Sequence, residues 1–334
     1  MGEKDRLKKV VFFSDLDNLN GALDYFNIKF FSEKSVPVKL HMGENKNKYF
    51  PKPDFVKRII VELKNKKVYP YLFDTTVAYT GMRHSVSGYK KLAQLHGFND
   101  RYIGCKIVID DSGIPINVED REYVVAEHIY NSTHIFSLSH VKGHVGTGMG
   151  GAIKNLGMGG VTKETKIRMH HGSRPVFKDD TCDYCGVCTE VCPFNAIDIK
   201  DGKWMLNMNS CFGCGVCVNN CKNGAIKYDD IDMQFVLACA AKACVQDKHV
   251  IYFNELKRIA RSCDCDPFAG PIICPDIGYL VSDDPVAIDM ASLDLVNDIK
   301  KDIFIKENHV NPIKQIKYGE EIGLGSSLYQ LIEI

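Results

Sequence analysis

The chain has 334 residues, 45% of them hydrophobic, with 42 basic and 42 acidic side chains and a formal net charge of zero. That length allows two domains, or one large domain carrying an insert. The charge balance gives no general reason to expect nucleic acid or an anionic membrane surface as partner, and no stretch approaches the roughly 18 apolar residues of a bilayer span.

The first 26 residues are charged, and their apolar run is broken by Asp15 and Asp17. They have no signal-peptide layout. The Met-Gly start lacks a Ser or Thr at the sixth position, so it is a weak acylation signal. Fourteen cysteines without a secretion signal point to a reducing compartment, where thiols serve metals or catalysis rather than cross-links. The expectation is a cytoplasmic protein that is not inserted in a membrane.

Taken in chain order, 8–16, 36–43, 68–76, 105–111 and 133–142 read as strands, and 53–66 and 88–98 as helices. Pro53 suits a first helical turn and Gly97 a helix stop. A glycine-dense passage, "GHVGTGMGGAIKNLGMGG", follows at 143–160, and a cysteine repeat occupies about 178–229. After it come a helix at 232–246, strands at 249–256 and 276–282, a helix at 284–299 and a charged, helical tail. Such alternation predicts an α/β fold with a mostly parallel sheet. The economical parse is one α/β domain, 1–177 and 230–334, interrupted by a small module at 178–229. Three domains in a row is the rival.

The repeat consists of "CDYCGVCTEVCPFNAIDI", from Cys182, and "CFGCGVCVNNCKNGAIKY", from Cys211. The two agree at the four cysteines, a Gly-Val pair and an Ala-Ile pair. The spacing C-x2-C-x2-C-x3-C, with a proline after the first run, resembles bacterial-type two-cluster ferredoxins, which bind 4Fe-4S cubes. The resemblance covers roughly 50 residues and implies an α+β ferredoxin-like module. It assigns Cys182, Cys185, Cys188 and Cys221 to one cluster, and Cys211, Cys214, Cys217 and Cys192 to the other. Gly186, Gly213 and Gly215 would let backbone amides approach the sulfides. Lys222 stands where the first run has Pro193, so the two potentials are expected to differ. Zinc is the alternative, since soft thiolates also select it.

"GTGMGG" at 146–151 formally matches G-x-G-x-x-G, but the helix after it is too short for a dinucleotide unit, expected to end near Leu156. The better reading is a loop facing an anion or polar substrate, with Gly146 and Gly148 giving backbone access and His140, His144, Lys154 and Asn155 drawn together. A tight structural turn is the bland alternative. His170 and His171 are expected near the first cluster. In "CDCD", Cys263 and Cys265 would face one side of an extended segment and are candidates for a further metal, with Cys274 nearby. Cys239 and Cys244 read as buried packing. Asp284 is a natural N-cap before Pro285. That leaves Asp283 as the freer carboxylate for acid–base work.

The segments "GHVGTGMGGAIKNLGMG", "CDCDP" and "PDIGYLVSDDPVAID", flanking the cluster motifs in this order, resemble the domain-of-unknown-function 362 family, in its subgroup with an inserted ferredoxin module. That resemblance implies an iron–sulfur protein in redox chemistry. It also marks His144, Lys154, Asn155, Cys263, Cys265 and Asp283 as a shared site. The expected function is a ferredoxin-linked oxidoreductase that exchanges electrons with an unknown small-molecule substrate or cofactor. His144, Lys154 and Asp283 would supply charge or a proton. With no convincing flavin or nicotinamide site, electrons would come from a separate ferredoxin or reductase. A non-catalytic electron carrier docking to a partner, or a metal- or cluster-handling protein using the CDC segment, are the alternatives.

Overall fold

Eight strands build the central sheet: β1 (Lys8–Phe13), β2 (Ser35–Lys39), β3 (Tyr69–Asp74), β4 (Ile107–Ile109), β5 (His134–His140), β6 (His249–Leu256), β7 (Gly278–Ser282) and β8 (Tyr329–Glu333). They belong to a computed structural model that describes residues 7–334; the Met-Gly start lies outside them. The spatial order is β8-β1-β7-β6-β5-β2-β3-β4. β7 runs against both of its neighbours, and every other pairing is parallel. The fold is α/β with a mostly parallel sheet.

Parallel strands are covered on both faces, so they carry apolar side chains on both. In β1, Val10 enters one core while Val11 and Phe13 enter the other. All seven residues of β5 are buried. One face is covered by the helix Leu19–Asp24, α1 (Pro53–Asn65) and α2 (Val86–Leu95); the other by α3 (Ala152–Gly159), α5 (Met233–Val245), α6 (Pro285–Ile299) and α7 (Ile313–Glu321). In α1, Pro53 opens the first turn and Val56, Ile59, Ile60 and Leu63 form the buried stripe, the 3.6-residue period of an amphipathic helix. α2 ends at Leu95, and Gly97 follows with φ 91°.

Several elements differ from expectation. Gly113–Val118 and Arg121–Ala126 form a hairpin, and α4 (Lys163–Gly172) occupies a stretch with weak periodicity. The tail is helical only in part, since β8 pairs in parallel with β1 at the sheet edge. "GTGMGG" is no dinucleotide loop: Lys142–His144 and Gly148–Gly150 pair antiparallel. α3 does not stop at Leu156. A Cβ at Gly157 would lie 2.2 Å from the Leu237 carbonyl of α5. The glycine therefore permits a helix–helix contact whose packing outweighs its poor helix propensity.

Residues 178–229 leave the sheet intact, which draws β1–β5 from before them and β6–β8 from after. Pro175–Phe177 and Ile226–Tyr228, entering and leaving the module, pair with each other. Inside is a hairpin of Ile197–Lys200 with Lys203–Leu206. The module's own core is small: buried Ile197, Cys217 and Ile226, with Phe177, Cys188, Trp204, Leu206, Val218 and Cys221 packed around them. So few apolar side chains cannot hold a unit of this size by burial alone; small units of this kind need staples.

α3 carries two site residues, and Asp289 holds its start. This carboxylate, fully buried on α6, accepts from Ala152 N at 2.7 Å, Ile153 N at 2.9 Å and Asn254 Nδ2 at 2.9 Å. Burial pushes its pKa up to about 6, so at neutral pH it remains the acceptor those donors need. Asp289→Ala strands three buried donors and is expected to lower stability by about 3 kcal/mol. Asp283→Ala, on an exposed side chain, should change it by less than about 0.5 kcal/mol. Urea midpoints followed by circular dichroism check both.

Candidate functional site

In parallel α/β sheets the carboxyl ends of the strands meet at one edge, and ligands lodge where neighbouring strands connect in opposite directions. Here β2 leads outward to β3 and β5 leads the other way to β6, so the switch point lies between β2 and β5. A cavity of about 1110 Å³ opens beside it, lined among others by Lys39, Asp74, Lys166, Lys154, Cys263 and Phe212.

Asn155 staples the switch point. Its amide nitrogen lies 3.1 Å from the carbonyls of Lys39 and Leu138 and 3.1–3.2 Å from the hydroxyls of Ser139 and Ser137. Its carbonyl accepts from Lys39 Nζ at 3.0 Å. Lys39 also pairs with Asp74 at 2.8 Å, and Asp74 with Arg83 at 3.4 Å; all three are buried. Among the described residues Lys166 has no carboxylate in ion-pair contact. It donates to Thr75 Oγ1 at 2.5 Å and to the Thr76 carbonyl, and burial pushes its pKa down to about 7. Lys39, Arg83, Lys142 and Lys166 are buried cations in the cavity wall, against the buried carboxylates Glu44 and Asp74. Lys142 is offset by buried Asp264, and Lys166, its pKa pushed down to about 7, is the base left over for an anion.

The opposite wall carries the thiols. His144, Cys263 and Cys265 have donor atoms that all lie within 4.8 Å of one another. His144 sits on the Lys142–His144 arm of the hairpin. Burial, then Lys154 and Lys142, hold its pKa well below the usual range, so the ring is neutral. Lys154 Nζ donates to Cys263 Sγ at 3.4 Å, and Cys265 N approaches the same sulfur at 3.4 Å. The Cys265 thiol's hydrogen bond, reinforced against burial by Lys154 and Lys142, holds Cys263 well below the usual thiol range; the same bond pushes Cys265 up. Asp264 points away from the cavity, to His140 Nδ1 at 2.9 Å and Lys142 Nζ at 3.2 Å.

In the module, Cys217 has the thiols of Cys214, Cys192 and Cys211 as neighbours, and Cys188 has those of Cys185 and Cys221. A small cavity lies among Cys192, Cys211, Cys214 and Cys217. The adjoining Pro193, Phe194, Phe212 and Val216 reach the large cavity. Cys182 Sγ accepts from Tyr184 N, and Cys192 Sγ from Ala196 N, each at 3.3 Å. Gly213 (φ 73°) lies against the His170 carbonyl, which a Cβ would approach to 1.9 Å.

Of the residues marked in the sequence, His144, Lys154, Asn155, Cys263 and Cys265 gather around the cavity. Asp283 does not join them. Because β7 runs antiparallel, Ser282 pairs with Tyr252 near the start of β6, which puts Asp283 at the opposite edge of the sheet. Gly146 and Gly148 serve close packing instead of a binding loop: a Cβ on Gly146 would lie 3.3 Å from the Cys214 carbonyl, and one on Gly148 2.4 Å from that of Val310. Cys274 belongs to the hydrophobic core. His170 packs on Phe212 at 4.3 Å, beside the second cysteine run rather than the first set; burial pushes its pKa down to about 4. His171 is exposed. Cys239 and Cys244 are buried, and Asp284 caps α6 through Val286 N and Ala287 N at 2.9 Å each. Lys39, Asp74, Arg83, Lys142, Lys166 and Asp264 carried no spacing that would single them out.

A mostly parallel sheet with a lysine-lined, thiol-bearing cavity at its switch point defines the class of site. The description "Domain of unknown function (DUF362)" matches residues 36–294, and the chain belongs to that family. No curated protein sequence matches it. Among solved structures, the lactate racemase apoprotein from Thermoanaerobacterium thermosaccharolyticum is similar at 12% identity and a TM-score of 0.41, over 76% of this chain and 52% of that one. A protein from Thermotoga maritima is similar at 10% identity and a TM-score of 0.41, over 72% and 49%. The chain thus spans about half the length of these structures, and no residue or activity is carried over from them. Among the described residues no helix is long and apolar enough to cross a membrane.

Lys166 generates a pH dependence. Its pKa falls from 10.5 to about 7 on folding, so between these values the unfolded chain binds the extra proton. Its contribution to stability is then full above 10.5 and lost as pH falls toward 7. Urea midpoints of the wild type should rise from pH 7.5 to pH 9.5 more than those of Lys166→Met, whose difference cancels the titration of the other groups.

Proposed function

We propose that the chain is an iron–sulfur redox protein whose inserted module binds two 4Fe-4S clusters and exchanges electrons with an anionic small molecule in the sheet-edge cavity. The observation that carries the reading is the crosswise sorting of the thiols. Cys192, from the first run, stands with Cys211, Cys214 and Cys217 around a cavity of their own, and Cys221, from the second, stands with Cys185 and Cys188. That exchange of the fourth cysteine is the two-cluster ligand pattern. The weak core of the module fits a unit stapled by its thiolates.

When bound, the clusters supply one-electron transfer. The chain's own residues set the direction. Cys185, in the first set, is exposed, whereas Cys217, in the second, is buried. The first set therefore faces an external donor or acceptor such as a ferredoxin or reductase, and the second faces the cavity. Pro193, Phe194 and Phe212 close the wall between the second set and the cavity, keeping water from it. Lys39, Arg83 and Lys166 hold the anion, and Lys166, neutral in part near pH 7, can accept or give a proton.

Anaerobically purified protein should contain about eight irons and eight acid-labile sulfides. Cys214→Ser and Cys185→Ser should each remove the paramagnetic signal of one cluster and leave the other during a stepped reduction. A preparation that stays colourless and zinc-loaded after anaerobic reconstitution overturns the reading.

A further inference from the structure

Beside the contact of Gly146 with the Cys214 backbone, the His144, Cys263 and Cys265 side chains form a second cluster of soft donors. We infer that they bind a single thiophilic divalent ion, with zinc as the reference chemistry, and leave one coordination position open to the cavity. The site is separate from the eight module cysteines and does not depend on their holding clusters.

The donor set has the right chemistry. Two thiolates and one imidazole satisfy a soft divalent ion, and three protein ligands leave a fourth position for solvent or substrate. Tetrahedral bonds of about 2.3 Å to sulfur and about 2.0 Å to nitrogen put ligand atoms roughly 3.5–3.8 Å apart, a separation compatible with three donor atoms that all lie within 4.8 Å of one another. Cys265 is half-buried and all three residues line the cavity, so the open position faces it.

The surroundings fix each ligand. Asp264 turns inward to His140 and Lys142, and the segment is a turn rather than the extended stretch expected, Asp266 N donating to the Cys263 carbonyl at 2.9 Å, which leaves the thiols of residues 263 and 265 together on the cavity side. Asn47 Nδ2 donates to the Asp266 carbonyl at 2.7 Å, and Glu44 N to the Asp264 carbonyl at 3.0 Å, clamping the segment from the loop after β2. His144 Nδ1 lies 3.0 Å from Thr147 Oγ1, which donates to the Met149 carbonyl at 2.8 Å. With its proton spent there, Thr147 accepts from an Nδ1–H, which leaves the Nε2 lone pair for the ion. The Gly146 amide, 3.1 Å from Nδ1, favours the other tautomer, so binding shifts the ring's proton to Nδ1. Outer partners of this kind tune metal affinity.

The charges also balance. Two thiolates and a neutral imidazole make a divalent ion formally neutral. Lys154, donating to Cys263, then leaves the site with one positive charge, so the open position attracts an anion.

Protein produced in zinc-depleted, cobalt-supplemented medium and purified anaerobically tests this. Metal is counted against inorganic sulfide, so that cluster iron is set aside. The expected result is about one cobalt per chain with the visible absorption of tetrahedral, thiolate-bound cobalt. The double variant Cys263→Ser/Cys265→Ser should lose it with sulfide unchanged, and His144→Ala should lower its occupancy. Equal cobalt in wild type and double variant overturns the inference, as does recovery of Cys263 and Cys265 as a mutual disulfide from protein kept anaerobic. Should the variants fail to fold, alkylation of the wild type decides: bound cobalt should protect both thiols, and equal labelling with and without cobalt refutes the site.

Discussion

Between two thiols that face the cavity stands a carboxylate that faces away from it, and the site hangs on that carboxylate. Asp264 is fully buried. An unpaired carboxylate in such surroundings would cost several kcal/mol. Burial does push its pKa up, but His140 and Lys142 outweigh that and hold the group well below the usual range. His140 ends β5, and its Nε2 is held by the Lys257 carbonyl at 2.8 Å, so the ring is fixed from both sides. Lys142 lies two residues on, at the foot of the hairpin that carries His144. Satisfying one buried charge therefore brings together the end of a central strand, the arm bearing the imidazole and the segment bearing the thiols. Removing either partner would leave the Asp264 carboxylate poorly compensated in an interior that cannot solvate it.

The same edge of the sheet explains the charge of the cavity. Lys39 and Asp74 end neighbouring parallel strands, and their ion pair is what two adjacent carboxyl ends can offer each other. Arg83 and Lys166 arrive from outside the sheet and exceed the acids available to them. Buried lysines without carboxylates are rare because the charged form is poorly solvated. Lys166 meets this with a hydroxyl, a carbonyl and a lowered pKa. An amine so placed is one that a bound anion would return to the charged form, which couples ligand binding to proton uptake.

The sequence made part of this legible. Strands with continuous apolar runs, such as β5 and β6, could be read because parallel sheets bury both faces. α1 and α6 could be read because a proline and a capping acid mark their starts. His144, Lys154, Asn155, Cys263 and Cys265 were recognisable because they lie in two dense segments with unusual composition. The rest was hidden by the fold itself. Lys39, Asp74, Arg83 and Lys166 are single charged residues in separate segments, and only the common direction of β2 and β3 and the packing of α4 bring them together. Asp283 misled for the converse reason. It follows a strand that looks like the others but runs the opposite way, a property set by pairing and invisible in composition. Gly146 and Gly148 looked like a ligand loop because close backbone approach to a ligand and close approach to protein demand the same residue.

The insert sits where it does because its ends cost the sheet nothing. Pro175–Phe177 and Ile226–Tyr228 satisfy each other's hydrogen bonds, so the host fold closes around a two-stranded stem. Contact with the host is then made at points that tolerate little slack. Gly213 lies against the His170 backbone, where any side chain would collide, and Gly146 packs closely on that of Cys214. Polar ties flank them: Asn220 Nδ2 donates to the His309 carbonyl at 2.8 Å, and Lys314 Nζ to Asn219 Oδ1 at 2.7 Å. A module joined only by its stem could swing; the Gly213 contact and these polar ties oppose that. Under the proposed reading this matters more than any single residue, because electron transfer depends on a fixed, short separation. The packing sets the Cys214 backbone against Gly146, two residues from His144, so the Cys211–Cys214 loop lies next to the site of Cys263 and Cys265, whichever ligand occupies it.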